Sequence, residues 1–314
     1  MKKNALISVV VPSYNEENNI YPLYESLKKE LDTYTRWEIL FVDDGSTDKT
    51  LQNIIQISAE DQRVKYVSFS RNFGHQNAIK AGLDFSSGDC VISMDADLQH
   101  PPVIIHQMIE KWEQGFEIVF TTRIYNKNQS FLKRKTSRLF YNIINVMSDI
   151  KLKDGVADFR LFDRKVVDVF KNEIHEYFLF VRGMVNWIGF KQTFIPYHAQ
   201  ERSSGNTKYT FRKQIGLALN GLTSLSVKPL RLSLILGFIF SFVSFIYAIY
   251  ALYIYFFTDQ AVSGWTSVII SVLFIGGVQM FLGGIQGEYL GKIFLETKRR
   301  PRYIVSETNT EQQK

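Results

Sequence analysis

The sequence contains one cysteine, Cys90, and five histidines among its 314 residues. That excludes a disulfide framework and a cysteine-rich zinc site, and permits a reducing compartment. His75, His100, His106, His175 and His198 are scattered, so a structural role is expected for each, and no Ser-His-Asp or Cys-His constellation stands out. No nucleic-acid-binding motif accompanies the excess of 37 Lys+Arg over 31 Asp+Glu. The resulting charge of +6 lies largely beside apolar stretches, so a membrane surface is the expected partner and nucleic acid is not. Met1–Pro12 lacks the length and small-residue cleavage site of a signal peptide and reads as a first strand. The scarcest feature is charge within one segment: from Leu232 to Gly287, 56 residues carry only Asp259.

What is present divides accordingly. A composition that is 46% hydrophobic and 22% charged excludes disorder. The mean hydropathy of −0.08 averages a soluble part and a membrane part. Apolar, β-branched runs predict buried strands at Leu6–Val11, Ile39–Val42, Val64–Phe69, Cys90–Met94 and Ile118–Thr121. Helical spacing separates them, through Ile20, Leu23, Leu27 and Leu31, then near Asp48–Ala59 and Asn77–Phe85. This alternation predicts an α/β domain on a parallel sheet, with ligands gathering at the carboxyl ends of the strands. Tyr125–Asn145 and Tyr209–Leu225 combine basic and apolar residues and are expected as helices in the membrane interface, with ordinary surface helices as the alternative.

Leu232–Phe257 and Ser267–Gly287 would be about 39 Å and about 31 Å long as helices, enough to cross a hydrocarbon core of about 30 Å. Lys228 and Arg231 precede the first, Lys292, Lys298, Arg299, Arg300 and Arg302 follow the second, and the connecting loop Thr258–Thr266 has no Lys or Arg. The positive-inside rule then puts the catalytic domain and both termini in the cytosol of a multi-pass plasma-membrane protein. The expected divisions are a catalytic domain over 1–208, a juxtamembrane segment over 209–231, a two-helix hairpin over 232–291 and a basic cytosolic tail over 292–314. Gly276, Gly277, Gly283 and Gly284 permit close helix packing and therefore a homo-oligomer.

The most specific segment is Asp95-Ala96-Asp97-Leu98-Gln99-His100-Pro101-Pro102, directly after a buried strand. If extended backbone continues there, Asp95, Asp97 and Gln99 face one way and offer three hard oxygen groups suited to Mg²⁺ or Mn²⁺. A second acidic strand end, Val42-Asp43-Asp44-Gly45-Ser46, reads as a turn and helix cap, although two adjacent carboxylates exceed what a cap needs. After the first strand, Pro12-Ser13-Tyr14-Asn15-Glu16 is either a cap or a base-binding end, with Tyr14 stacking and Glu16 accepting a hydrogen bond.

With Arg71-Asn72-Phe73-Gly74, these segments resemble family 2 glycosyltransferases of the GT-A (Rossmann-like) fold, above all their polyprenyl-phosphate branch, which includes dolichol-phosphate-mannose synthases and undecaprenyl-phosphate glucosyltransferases. The resemblance extends through Asp158-Phe159-Arg160-Leu161, Trp187-Ile188-Gly189-Phe190, Arg202–Lys208, the two spans and Gly287–Gly291. It implies nucleotide contacts from Pro12, Tyr14, Glu16, Val42, Asp44, Asp95 and Ala96, and a metal held by Asp95, Asp97 and Gln99. Arg123, Arg134 and Ser137 match positions that receive the lipid phosphate, with Lys133 or Arg138 as alternatives. Arg202 and Lys208 match a segment that closes on the diphosphate, and Asp158 matches a residue proposed as catalytic base. Ala157 and Thr207 depart from the usual Gly and Ser.

The implied reaction is inverting transfer from a nucleotide-sugar, UDP-glucose first and UDP-N-acetylglucosamine second, to undecaprenyl or another polyprenyl phosphate for cell-envelope glycosylation. A lipid monophosphate is mostly ionised at pH 7, so Asp158 is expected to orient or tune as much as to accept a proton. A processive polysaccharide synthase would carry a Gln-X-X-Arg-Trp motif and usually more spans, and neither is found. A non-catalytic scaffold would be favoured by loss of the metal carboxylates, yet Asp95 and Asp97 are present. Two spans make a poor translocation path, so a separate flippase is expected.

Overall fold

The structure, a computed structural model, describes residues 4–124, 156–177, 179–198, 226–257 and 264–310. Both expected interface helices, Tyr125–Asn145 and Tyr209–Leu225, lie outside the described residues.

The sheet grows from strand β1 (Leu6–Ser13), whose central residues are all buried. β1 pairs in parallel with β2 (Arg36–Asp43) and β4 (Cys90–Ser93), and β2 in turn with β3 (Val64–Phe69). Residues of β1 alternate between two apolar layers. Ile7, Val9 and Val11 face one layer, formed with helices α1 (Ile20–Leu31), α2 (Thr50–Glu60) and α4 (Ile104–Glu113). Val10 faces the other, formed with α3 (His75–Phe85), α5 (Arg164–Asn172) and α6 (Val181–Trp187). On α1 the buried set is Ile20, Leu23, Tyr24, Leu27 and Leu31, the three-and-four spacing that puts one helical stripe on the sheet.

The expected all-parallel sheet is corrected to a mixed one of eight strands, in the order β7-β5-β6-β4-β1-β2-β3-β8. β6 (Val156–Asp163) runs antiparallel between β4 and β5 (Ile118–Ile124). β7 (Gln192–His198) adds in parallel to β5, and β8 (Val305–Thr308) adds antiparallel to β3. Each unforeseen strand lacks the continuous apolar run of a buried strand. β6 carries Asp158 and Arg160 at its centre, β7 contains Pro196 on a sheet edge where proline is tolerated, and β8 is the polar sequence Val-Ser-Glu-Thr.

Helices α7 (Lys228–Phe257) and α8 (Trp265–Thr297) project from this domain with almost none of their apolar surface covered. Lys228–Ile254 and Ser267–Thr297 are long and apolar enough to cross a membrane. They touch through Phe240 and Phe274, ring centroids 5.6 Å apart, and Tyr289 Oη donates to the Ser226 carbonyl at 2.7 Å. α8 runs through the expected boundary at residue 291 and stops only where Arg299 turns left-handed at φ 47°. The segment expected as a basic tail over 292–314 begins as helix, to Thr297, and contains the strand Val305–Thr308.

α3 lies against β1 where Gly82 meets Val10, and a Cβ on Gly82 would fall on the Val10 methyl. Gly82→Ala should push α3 off the sheet and cost about 1–3 kcal/mol of stability, read as a lower unfolding midpoint of the purified protein. An unchanged midpoint would show that helix and strand separate freely.

Candidate functional site

The carboxyl ends of β1, β2, β3 and β4 converge on one edge of the sheet, and the loops beyond them interlock. Asn15, at φ 53°, accepts from the Thr47 N–H through Oδ1 (2.9 Å), and its own N–H donates to Ser46 Oγ (3.0 Å). The Glu16 N–H donates to Thr50 Oγ1 (2.8 Å), and Glu16 Oε2 accepts from Asn19 Nδ2 (2.6 Å). Gly45 has φ 67°, and a side chain there would strike the backbone of Arg71 and Asn72, so the β2 loop can sit on the β3 loop only with glycine. Of the expected nucleotide contacts, Pro12 and Val42 are buried beneath this floor and Tyr14 is exposed above it.

The two adjacent carboxylates of β2 have separate structural partners. Asp43 accepts from Ser68 Oγ (2.8 Å) and from the Ser46 N–H (3.2 Å). Asp44 accepts from the backbone N–H groups of Phe73 (2.7 Å) and Gly74 (2.9 Å), which fixes the loop leading into α3. Burial pushes the Asp44 carboxyl up to about 6, against the opposing pull of those two N–H groups and of His75.

Beyond β4 the extended backbone ends at Ser93, and Leu98 takes a left-handed φ of 61°. The strand alternation expected to align Asp95, Asp97 and Gln99 is therefore corrected, because the loop folds back instead. The Gln99 N–H donates to Asp97 Oδ1 (3.1 Å), while Gln99 Oε1 accepts from Arg123 Nη2 (3.0 Å) at the end of β5. Asp95 and Asp97 still share one short loop around buried Ala96. The Asp95 N–H donates to Nδ1 of His100 (3.2 Å), which puts the imidazole proton on Nε2. His100 is buried and stacked on Phe159, and burial holds it down as the neutral form. Among the described residues no donor reaches the buried Asp95 Oδ1, and His75 Nε2 lies 3.4 Å from it. A buried carboxylate oxygen without a donor is what a hard divalent cation satisfies, so Asp95 and Asp97 fit such an ion. Among the described residues no group of three His, Cys, Asp or Glu surrounds such an ion, so a substrate would have to complete its shell.

His75, the first residue of α3, is the element that sequence reasoning missed. Its Nε2 lies between Asp95 and Asp158, 3.7 Å from Asp158 Oδ2. Its place directly after Arg71-Asn72-Phe73-Gly74 is the one signal that could have singled it out. Asp158 is buried on β6 and paired with two guanidiniums. Arg182, at the start of α6, donates from Nε to Oδ1 (3.0 Å) and from Nη2 to Oδ2 (2.7 Å), and Arg160, two residues along the same strand face, also pairs with Oδ1. Burial alone would raise the Asp158 carboxyl, but Arg182 and Arg160 outweigh it and hold the group well below the usual carboxylate range. Burial likewise opposes a charge on His75, and Asp158 and Asp95 overcome it, so its value is raised. A cavity of about 290 Å³ opens beside these groups, lined by Phe73, Gly74, His75, Gln76, Asn77, Asp158, Phe180 and Arg182.

The structure thus brings Asp95, Asp97, Gln99 and Arg123 together, with Asp158 joined to them through His75. Arg134, Ser137, Lys133, Arg138, Arg202 and Lys208 lie outside the described residues.

Two stability predictions follow from these charges. Asp158→Ala leaves Arg160 buried without its carboxylate and should cost about 3–5 kcal/mol in unfolding measurements. A loss below about 1 kcal/mol, the worth of an exposed pair, would mean that the arginines are hydrated. Asp44 has a folded value above its unfolded one, so below about 6 the folded chain keeps a proton that the unfolded chain has released. Its contribution is full at low pH and is lost as pH rises through about 6. The unfolding midpoint of Asp44→Asn should therefore vary less with pH across that window than wild type, and an equal slope would overturn the assignment.

Comparison with known proteins gives four findings. A family model for glycosyl transferase family 2 matches residues 8–170. An uncharacterized glycosyltransferase of Bacillus subtilis, YkcC, is 43% identical over 98% of this chain and 95% of its own. A prophage bactoprenol glucosyl transferase homolog of Escherichia coli is 40% identical over 95% of this chain and 98% of its own. A crystal structure of mannosyl-3-phosphoglycerate synthase from Rubrobacter xylanophilus aligns over 69% of this chain and 72% of its own, at 16% identity and a TM-score of 0.48. The family match, the relatives at or above 40% identity and the mixed α/β sheet agree: this chain belongs to the family 2 glycosyltransferases, is an enzyme of that class, and has a GT-A catalytic domain.

Proposed function

We propose that the protein transfers a hexosyl group, glucose in the first instance and N-acetylglucosamine in the second, from its UDP derivative to undecaprenyl or another polyprenyl phosphate at the cytosolic face of the plasma membrane. The observation that carries the sugar and the acceptor is the 40% identity, over 95% of this chain, to a protein named as a bactoprenol glucosyl transferase homolog. The two apolar helices and the Lys/Arg asymmetry around them support a bilayer-resident acceptor and a cytosolic domain.

In this reading an oxygen of the lipid phosphate attacks the sugar C1. The bond from C1 to the donor diphosphate breaks, its electron pair leaves with UDP, and the anomeric centre inverts. The acceptor is already ionised, so no strong base is needed, and an Asp158 clamped by two arginines is a poor one. Asp158 instead holds Arg182 and His75 at the wall of the cavity. Tyr14 and the β1 and β2 ends take the nucleotide, with Arg202 and Lys208 closing over the diphosphate. Asp95 and Asp97 hold a Mg²⁺ or Mn²⁺ ion, which when bound neutralises charge on the leaving diphosphate. Gln99 Oε1 accepts from Arg123, and Arg123, Arg134 and Ser137 receive the lipid phosphate in this reading.

The cavity of about 290 Å³ is the place for the hexosyl group. Gln76 Oε1 accepts from the Val181 N–H (3.1 Å) and Asn77 Nδ2 donates to the Phe73 carbonyl (2.8 Å), which fixes two amide side chains of the cavity lining. Fixed amides beside Phe180 suit hydroxyl groups on an apolar-faced sugar.

The test is transfer from a panel of labelled nucleotide-sugars to undecaprenyl phosphate by protein in nanodiscs. Wild type should form a glucosyl lipid. Asp97→Ala, or excess chelator, should abolish the product, with Mg²⁺ or Mn²⁺ restoring the chelated enzyme. Arg134→Ala should raise the acceptor KM and leave donor affinity little changed. Full turnover in excess chelator would overturn the metal assignment, and no lipid product with any donor would overturn the function.

A further inference from the structure

The chain leaves the domain for α7 and returns from α8, and the returning segment does not hang free. Arg302 Nη2 donates to the Ile174 carbonyl (2.8 Å), and the Ser70 N–H donates to the Ile304 carbonyl (3.0 Å). Tyr303 stacks on Phe69, ring centroids 5.0 Å apart and planes 16° from parallel, and its Oη donates to Asp84 Oδ2 (2.8 Å). β8 then pairs along β3 as the outermost strand. Asn309 extends the attachment, accepting from the Tyr66 N–H through Oδ1 (2.7 Å).

These contacts reach the site by two short routes. Phe69, on which Tyr303 lies, packs edge-on against Phe73 at 5.7 Å, and Phe73 lines the cavity that His75 enters. Asp84, which Tyr303 grips, lies at the far end of α3, the helix whose first residue is His75. The segment therefore holds α3 near both ends. It also lines, through Arg302, a second cavity of about 370 Å³ that shares the Phe73–Asn77 wall with the first. On its other side it is continuous with α8 through a tight stop, Arg299 in the left-handed region followed by Arg300 and Pro301. Such a junction has little freedom to pivot.

We propose that residues 299–309 are a positioning strap that fixes the catalytic domain at one height and angle to the membrane hairpin, so that the donor site meets a phosphate held at the bilayer surface. The inference rests on the reading of the acceptor as a membrane lipid. Tyr303 is its central positioning residue, acting through Phe69 and α3 without touching either substrate. A soluble domain on a loose tether would sample many orientations, and transfer in line between a bound sugar and an interfacial phosphate tolerates few. The two-point attachment removes that freedom. The Tyr177 N–H also donates to Glu296 Oε1 (2.6 Å), an exposed hydrogen bond at the end of α8.

The test separates anchoring from folding. A flexible Gly/Ser linker of about ten residues inserted between Arg300 and Pro301 leaves the contacts of residues 302–309 in place and uncouples them from the end of α8. A second protein carries a protease site at the same position, cut after purification, so that folding is complete before the connection is lost. UDP binding and the thermal midpoint should match wild type. Transfer to a short-chain, water-soluble polyprenyl phosphate should also match, while transfer to undecaprenyl phosphate in nanodiscs should fall about tenfold or more. Wild-type transfer to the bilayer acceptor by either protein would overturn the strap. An equal loss on both acceptors would overturn it too, making the segment merely structural. Failure of unmodified protein to use either acceptor would instead overturn the proposed function.

Discussion

A buried carboxylate between two guanidiniums sets the terms for the rest of the site. Asp158, Arg160 and Arg182 are mutually dependent, because removing Asp158 leaves the Arg160 charge in a dry place and removing either arginine takes a partner from the buried carboxylate. To bring them together, β6 must run antiparallel beside β4, α6 must begin where Arg182 can reach back, and α3 must start where His75 can lie against the pair. The arrangement is not optimised as an ion cluster. Among the described residues, Nε and Nη1 of Arg160 are buried without hydrogen-bond partners. What the cluster does provide is fixed positive charge in excess of negative, held rigidly beside the Asp95 loop. Fixed charge of this kind is worth most where negative charge develops and water is excluded.

Legibility in the sequence followed the physics of burial. Strands β1, β2 and β4 contain apolar runs because they are covered on both faces, and α1 shows its stripe because it is covered on one. β6 was hidden for the opposite reason, since the charges of Asp158 and Arg160 interrupt the run that would have marked it. Pro196 hid β7, and the hydrophilic β8 was indistinguishable from a solvated end. All three omissions involve non-local pairing, which no window of sequence contains.

The site residues divide along the same line. Asp95 and Asp97 were identifiable because a short acidic loop after a buried strand is unusual, whereas their shared orientation was not, because it depended on extended backbone that Leu98 breaks. Asp44 drew attention as a surplus carboxylate, and the structure shows it bound to the Phe73 and Gly74 amides, a partner 29 and 30 residues away. His75 has no local pattern beyond its place after Arg71-Asn72-Phe73-Gly74. It matters only because β4, β6 and α3 bring Asp95 and Asp158 to either side of it. Residue type locates the groups that must face a ligand, and topology locates the groups that hold them.

The same division bears on how a water-facing sheet can serve a membrane. The carboxyl ends of the parallel strands define where the site lies in the domain, and nothing in that rule orients the domain toward a bilayer. Orientation has to come from segments outside the parallel core. Here the chain places its two apolar helices after that core and then sends residues 302–309 back to the edge of β3, whose carboxyl end leads directly into the loop that Asp44 holds. The sheet edge that would otherwise be open is closed by the segment that follows the hairpin, so one set of backbone hydrogen bonds protects an exposed strand and joins the domain to its helices. An edge strand is a natural choice for that junction. Its ladder bonds resist shear along the strand and fix direction as well as distance, which side-chain contacts alone do poorly.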